Sequence, residues 1–233
     1  MRRWIVRLSF ALNLAVIAGA LALFVSLPGL IDRYLVRPNR ERLISQFASL
    51  PVEPGEVVFL GDSITQGGNW NELFPGVPVR NRGIGGDTTR DVLARLDQVV
   101  EGKPAQVFLL IGTNDLERGV PIATILQNED LILTRLREGS PGTQVLLQSV
   151  LPRAASWRPQ VEELNAGLAV LAEKHGATWI DLYGSFLDAD GSIRNDDAND
   201  ELHLLGPGYT RWRDILMPYV RARRTSATTA ARP

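Results

Sequence analysis

The chain has 233 residues, 45% apolar and 22% charged, with a formal net charge of −1 and no cysteine. That length holds one core-sized domain plus a short appendage; the near-zero charge, with basic residues scattered, excludes nucleic acid as a partner. Without a thiol there is no disulfide, no thiolate metal site and no cysteine nucleophile, and only His175 and His203 are available to chemistry that needs an imidazole.

Leu8 to Leu27 is an uncharged run whose clearly polar members are Ser9, Asn13 and Ser26. At ~1.5 Å per helical residue it spans a hydrocarbon layer of ~30 Å, which predicts one transmembrane helix within residues 1–31. Arg2, Arg3 and Arg7 precede the run, whereas Asp32, Arg33 and Arg37 follow it. This bias keeps the N-terminus in the cytoplasm and predicts a single-pass membrane protein whose catalytic domain is extracytoplasmic. The competing reading is secretion after signal cleavage, for which Ala18-Gly19-Ala20 has the small-x-small pattern. Arg37-Pro38 is expected to break the helical pattern. Residues 32–51 then read as a linker with a short amphipathic helix carrying Leu43, Ile44, Phe47 and Leu50.

From residue 52 to 222, short β-rich runs alternate with stretches of helical period. Val57 to Leu60, Val77 to Asn81, Val107 to Ile111, Gln144 to Ser149 and Thr178 to Asp181 are the predicted strands, mostly continuous apolar runs of the kind buried on both faces of a parallel sheet. Thr88 to Val100, Ile122 to Glu138 and Gln160 to His175 are the predicted helices, and a last one follows Pro207. The expected fold is therefore a three-layer α/β/α sandwich around a five-stranded parallel sheet, with functional residues on the loops beyond the strands' C-terminal ends. The tail, residues 223–233, is rich in Thr, Ala and Arg and is expected to be disordered.

Gly61-Asp62-Ser63 follows the first strand directly. A serine there places its hydroxyl at the top of the sheet, but it needs a positioned base to become a nucleophile. Asp200-x-x-His203 supplies that base, since a carboxylate three residues before an imidazole can accept the Nδ1 proton and leave Nε2 for the serine. Glu201 has the wrong spacing. His175 is expected instead to serve a helix C-terminus, with Gly176 ending the helix. Asn81 to Asp87 follows the second strand, and its glycines let a backbone N–H approach a substrate. Gly112-Thr113-Asn114-Asp115 follows the third, and Asn114 offers a side-chain amide as an oxyanion donor.

Two rival motifs fail on spacing. Gly83-x-Gly85-Gly86 lacks the G-x-G-x-x-G pattern of dinucleotide sites, and the run from Asp188 to Asp197 lacks the ligand spacing of a calcium loop, so it reads as a solvated turn and no metal is expected. Trp157, Trp179 and Trp212 read as core residues more readily than as an acyl pocket.

Val58-Phe59-Leu60-Gly61-Asp62-Ser63, Asn81 to Asp87, Gly112-Thr113-Asn114-Asp115 and Asp200-x-x-His203, in this order, resemble the SGNH or GDSL-type serine hydrolase family. The resemblance covers Val57 to about Tyr219. It implies a flavodoxin-like SGNH hydrolase fold, with Ser63 as nucleophile, His203 as base and acid, and Asp200 orienting the imidazole. It also implies an oxyanion hole made by the Ser63 N–H, the Gly86 N–H and the Asn114 side chain. Gly83 to Arg90 and Leu151-Pro152-Arg153 are further similar to the branch that contains the α subunits of platelet-activating-factor acetylhydrolase. The chain departs from the G-x-S-x-G elbow, so lid-covered lipase behaviour is not expected.

The expected reaction is cleavage of a carboxylic ester through an acyl-Ser63 intermediate, with no cofactor. Because it needs neutral imidazole, activity is expected to fall below roughly pH 6 to 7. Acetyl esters, lysophospholipids and O-acetylated glycans all remain open as substrates. An O-acyltransferase using the same residues, or an inactive binding protein on the same fold, are the alternatives.

Overall fold

The computed structural model describes residues 2–220, in two compact units, Met1–Ser45 and Gln46–Pro233. The tail expectation for residues 223–233 lies outside the described residues. In the first unit, α1 (Arg2–Ile31) contains a stretch, Arg3–Leu27, long and apolar enough to cross a membrane, with a hydropathy of 2.3 and none of it buried; a signal sequence passes the same test. Arg37-Pro38 does not break the helix as expected. A π-helical turn, Asp32–Val36, leads straight into α2 (Arg37–Ser49). Proline within a helix loses one N–H and strikes the carbonyl four residues back. The carbonyl four residues before Pro38, that of Tyr34, lies within the wider π turn.

The second unit takes in the end of the 32–51 linker. Phe47 is buried, with the Arg82 guanidinium 4.5 Å over its ring, and Arg82 also donates to the Leu50 carbonyl. Five parallel strands form the sheet, β1 (Val57–Gly61), β2 (Val79–Gly83), β3 (Gln106–Leu110), β4 (Gln144–Gln148) and β5 (Thr178–Ile180), in the order β2-β1-β3-β4-β5. β1 and β3 are buried throughout, as continuous apolar runs require.

Successive side chains of each strand point to opposite faces, and two cores result. Val58, Leu60, Val107, Leu109 and Leu147 pack on one side. There they meet α5 (Thr89–Ala94), α6 (Asp97–Val100), α8 (Ile122–Gly139) and α9 (Arg158–His175). Val57, Phe59, Phe108, Leu110 and Leu146 face the other side, against α3 (Ser63–Gln66), α4 (Trp70–Leu73), α10 (Tyr183–Phe186) and α11 (Gly206–Leu216). One further short helix, α7 (Thr113–Glu117), follows β3. Crossovers between parallel strands are right-handed, so the β1-to-β2 connection on one face and the β2-to-β3 connection on the other wind in opposite directions. The reversal falls at β1, and the loops after β1 and β3 part there, which is where such sheets bind ligands.

Two elements differ from expectation. β2 runs two residues later than predicted, because its ladder with β1 pairs Val57 with Val79 and Gly61 with Gly83 and so includes the polar Arg80, Asn81 and Arg82. The helix predicted over Thr88 to Val100 is two helices. Arg95 leaves helical geometry (φ −122, ψ 12) between them, and its guanidinium turns to the buried Asp87 carboxylate at 2.7 Å and to the Gly61 carbonyl at 3.0 Å.

Glu129 on α8 is fully buried beside Ile125 and Ile132, and neither carboxyl oxygen has a partner. Burial pushes this carboxyl well above the usual carboxylate range, and the nearby Asp115 carboxylate adds to the rise. A carboxyl raised in the folded state stabilises most below its unfolded pKa, and that contribution is lost as pH climbs toward the folded value. Glu129→Met, similar in volume and free of the desolvation cost, is therefore expected to raise stability by roughly 1–3 kcal/mol. The gain should widen from acidic pH, below the unfolded carboxyl value, to neutral pH, read by denaturant unfolding of the full chain in detergent. A variant no more stable than the wild type at either pH contradicts the unpartnered burial.

Candidate active site

β1 ends at Gly61, where nothing larger fits, since an added Cβ would lie 2.3 Å from the Leu110 carbonyl and 2.3 Å from Thr65 Oγ1. Asp62 then caps α3, accepting the Ile64 N–H at 2.9 Å. This places Ser63 as the first residue of α3 at the C-terminal end of β1. The loop before α11 brings the imidazole. Asp200 Oδ1 accepts the backbone N–H groups of His203 (2.7 Å) and Leu202 (3.2 Å), and its Oδ2 lies 2.7 Å from His203 Nδ1. The intervening Glu201 adopts φ 61, the left-handed turn that lets both bonds form. His203 Nε2 is 3.0 Å from Ser63 Oγ. With Nδ1–H donated to Asp200, Nε2 is left to accept the serine proton.

The Asp200 carboxyl is held below the usual carboxylate range, chiefly by the His203 N–H. Both side chains are about half exposed, His203 at 46% and Asp200 at 51%. The loop itself is fixed from behind. Asp197 is buried and takes Arg211 at 2.8 Å, and its carbonyl accepts the Leu205 N–H. Tyr209 of α11 donates to the Ile64 carbonyl at 2.8 Å, tying the helix after the imidazole to the helix of the serine. Burial pushes the Tyr209 phenol up to about 12.

The two other loops flank Ser63. Gly85 lies beside it, where an added Cβ would be 3.7 Å from Ser63 Cβ, and Gly86 adopts φ +78. Asn114, in α7 after β3, gives one amide hydrogen to the Asp87 carbonyl at 2.9 Å and retains a second. Asp115 braces the loop after β2, accepting Thr89 N–H at 2.9 Å and Thr89 Oγ1–H at 2.6 Å. Thr88 and Asp91 form the capping box of α5. Arg153 donates to the Thr113 carbonyl, pairs with Glu117 at 3.0 Å and lies over the Trp157 ring, so the Leu151-Pro152-Arg153 stretch supports α7.

Gln66, Arg95 and Arg118 were not singled out from the sequence. Each binds loop backbone next to these residues, Gln66 the Gly85 N–H, Arg95 the Gly61 carbonyl and Arg118 the Gly86 carbonyl, and no sequence spacing marks them. His175 is the last residue of α9, before the left-handed Gly176 (φ 65), and its ring lies 2.6 Å from Asp130. Trp212 is buried with its N–H on Gln148 at 2.7 Å, and Asp190 turns the chain by accepting from Ser192. Among the described residues no group of three or more His, Cys, Asp or Glu could hold a metal ion.

Comparison with known proteins defines the class, a hydrolase acting on ester bonds. Within it the chain belongs to the GDSL-like lipase/acylhydrolase family, whose model matches residues 59–211. It is 32% identical over 190 residues to the platelet-activating factor acetylhydrolase IB subunit alpha2 of Rattus norvegicus, covering 77% of this chain and 80% of that one. It is 35% identical over 167 residues to the alpha1 subunit of Homo sapiens, covering 66% and 71%. Among solved structures, a GDSL-like lipase from Bacteroides thetaiotaomicron superposes with a TM-score of 0.67 at 25% identity, over 77% of this chain and 96% of that one.

Asp62 is desolvated at the site. It is fully buried, one oxygen lacks a partner, and burial pushes its carboxyl up to about 7 against the opposing pull of the Ile64 N–H and His203. Its folded value lies above the unfolded one, so its contribution is greatest below about pH 4 and is lost as pH rises to about 7. Asp62→Asn keeps the acceptor for Ile64 and removes the charge. Its stability relative to the wild type is expected to increase across that interval by on the order of a few kcal/mol. Unfolding curves at the two ends of the interval that shift equally for both proteins would sink this assignment.

Proposed function

We propose that the chain is a serine esterase that cleaves carboxylic esters through an acyl-Ser63 intermediate. The observation that carries the reading is the unbroken series of contacts from Ser63 Oγ through the His203 ring to Asp200, at 3.0 Å and 2.7 Å. In this scheme His203 takes the hydroxyl proton as Ser63 attacks, gives it to the departing alcohol, and then takes one from the water that releases the acid. Asp200 holds the tautomer and stabilises the imidazolium. The Ser63 N–H, the Gly86 N–H and the remaining Asn114 amide hydrogen meet the oxyanion, and no cofactor enters any step. Half-exposed His203 leaves water free to reach the acyl-enzyme, which favours hydrolysis over transfer to another alcohol.

The relatives are named acetylhydrolases, so acetyl esters are the first substrates to test, with lysophospholipids and O-acetylated glycans next. We place α1 across a membrane with its N-terminus in the cytoplasm and the catalytic unit outside, on the apolar length of the helix and the arginines before it.

In the full-length chain in detergent, Ser63→Ala is expected to abolish labelling by a fluorophosphonate probe and to lower hydrolysis of nitrophenyl acetate by ~10³-fold or more. Asn114→Ala should lower kcat by roughly 10²- to 10³-fold with little change in KM. Retention of both label and turnover by the Ser63 variant removes the nucleophile from the scheme. The absence of cysteine makes topology readable as well. Glu138→Cys, at an exposed position near the end of α8, should react with a membrane-impermeant maleimide on intact cells, and a thiol that reacts only after lysis puts the catalytic unit on the other side.

A further inference from the structure

An oxyanion donor is useful only if the peptide that carries it cannot swing, and Gly86 sits in the stretch Gly83-Ile84-Gly85-Gly86, where the backbone is intrinsically free. Two side chains grip the peptides on either side of it. Gln66, the last residue of α3 and three positions after Ser63, accepts the Gly85 N–H on Oε1 at 2.7 Å. Arg118, which ends α7 four positions after Asn114, donates from one guanidinium nitrogen to the Gly86 carbonyl at 2.7 Å. Its other arm faces Asp91 at 3.8 Å, and a Cβ added at Gly86 would lie 3.6 Å from the guanidinium. The unit Gly85–Gly86 is thus bracketed by one bond from the helix of the nucleophile and one from the helix of the amide donor.

We propose that Gln66 and Arg118 are positioning residues that fix the direction of the Gly86 N–H, an inference that rests on the reading of the site given above. Neither side chain meets the reacting atoms. Arg118 is 52% exposed and Asp91 is already engaged by Thr88 in the capping box, so the fold does not depend on the guanidinium. The loop is held more deeply by the buried Asp87–Arg95 pair and by the Asn114 bond to the Asp87 carbonyl. Loss of Arg118 therefore loosens the Gly86 peptide without unfolding the loop.

Removing an oxyanion donor outright costs roughly 10²- to 10³-fold in kcat, and misaiming one costs less, about tenfold. Because the bond to the oxyanion is made only in the transition state, the loss belongs in kcat and not in KM. The test uses the full-length chain in detergent, nitrophenyl acetate as substrate, and a trifluoromethyl ketone that adds to Ser63 as a tetrahedral mimic. Arg118→Met and Gln66→Ala are each expected to lower kcat about tenfold with KM within about twofold, and to weaken the ketone by the same factor as kcat/KM. Arg118→Lys, which keeps a donor for the Gly86 carbonyl, should recover part of the loss. The double variant should lose less than the product of the singles, since both bonds act on the direction of one N–H, that of Gly86.

Turnover of Arg118→Met within about twofold of wild type, unchanged ketone affinity, or a loss confined to KM overturns the inference. So does a lowered melting midpoint with kcat intact well below it, which is the signature of a merely structural role. Ser63→Ala separates the two levels. If it stays active, the reading of the site fails; if it is inactive while Arg118→Met turns over normally, only the present inference fails.

Discussion

Parallel pairing delivers every strand-to-helix loop of the sheet to a single edge, and the approach of Ser63 to His203, 140 residues apart in sequence, depends on that constraint. The first loop supplies the hydroxyl, the second and third the glycine turn and Asn114, and the segment after β5 the imidazole. Reversal of winding at β1 keeps the flanking helices on opposite faces there, so the edge stays open above Ser63. The loops also have to approach closely. A Cβ at Gly83 would lie 2.2 Å from the Gln66 N–H nitrogen, and one at Gly61 would strike the end of β3. Side-chain-free backbone at these two positions lets the first three loops share one small volume.

The layered fold was readable because each strand of the sheet interior is apolar without interruption and each long helix carries an apolar stripe. β2 was placed two residues early because it is an edge strand, where Arg80, Asn81 and Arg82 satisfy a ladder that no hydrophobic pattern advertises. The unbroken helix predicted across Arg95 failed for a related reason, since apolar periodicity says nothing about a side chain that must turn to a buried carboxylate elsewhere in the chain. Asp200 and His203 were legible as a local unit, three residues apart and closed by backbone bonds within one turn. Gln66 and Arg118 were not, because a side chain that binds a distant peptide group leaves no spacing in the sequence.

Local rules are also broken at the proposed site. Asp62 keeps an unpartnered oxygen in the interior one residue from the serine, Glu201 is left-handed without being glycine, and Gly86 requires a positive φ. Each departure serves a neighbour. Asp62 starts the helix that presents Ser63, Glu201 lets one carboxylate bind both the backbone and the ring of His203, and Gly86 turns the chain after β2. Stability forgone at such points is characteristic of functional sites, and the stacked rings of Phe59, Trp70 and Phe108 beneath them, with Trp212 edge-on, provide a rigid floor.

A sheet with two open margins is a template on which other chains can polymerise, and the two margins here are blunted differently. β5 is only three residues long, too short to nucleate a new ladder of any extent. β2 places arginines at alternate positions, Arg80 anchored to Glu56 at 2.8 Å and Arg82 over the Phe47 ring. A strand arriving from another molecule would have to bury the Arg80–Glu56 pair and displace the Arg82–Phe47 contact before it could pair. The same polar residues that hid β2 from hydrophobic patterning therefore guard the protein against fibrillar self-association.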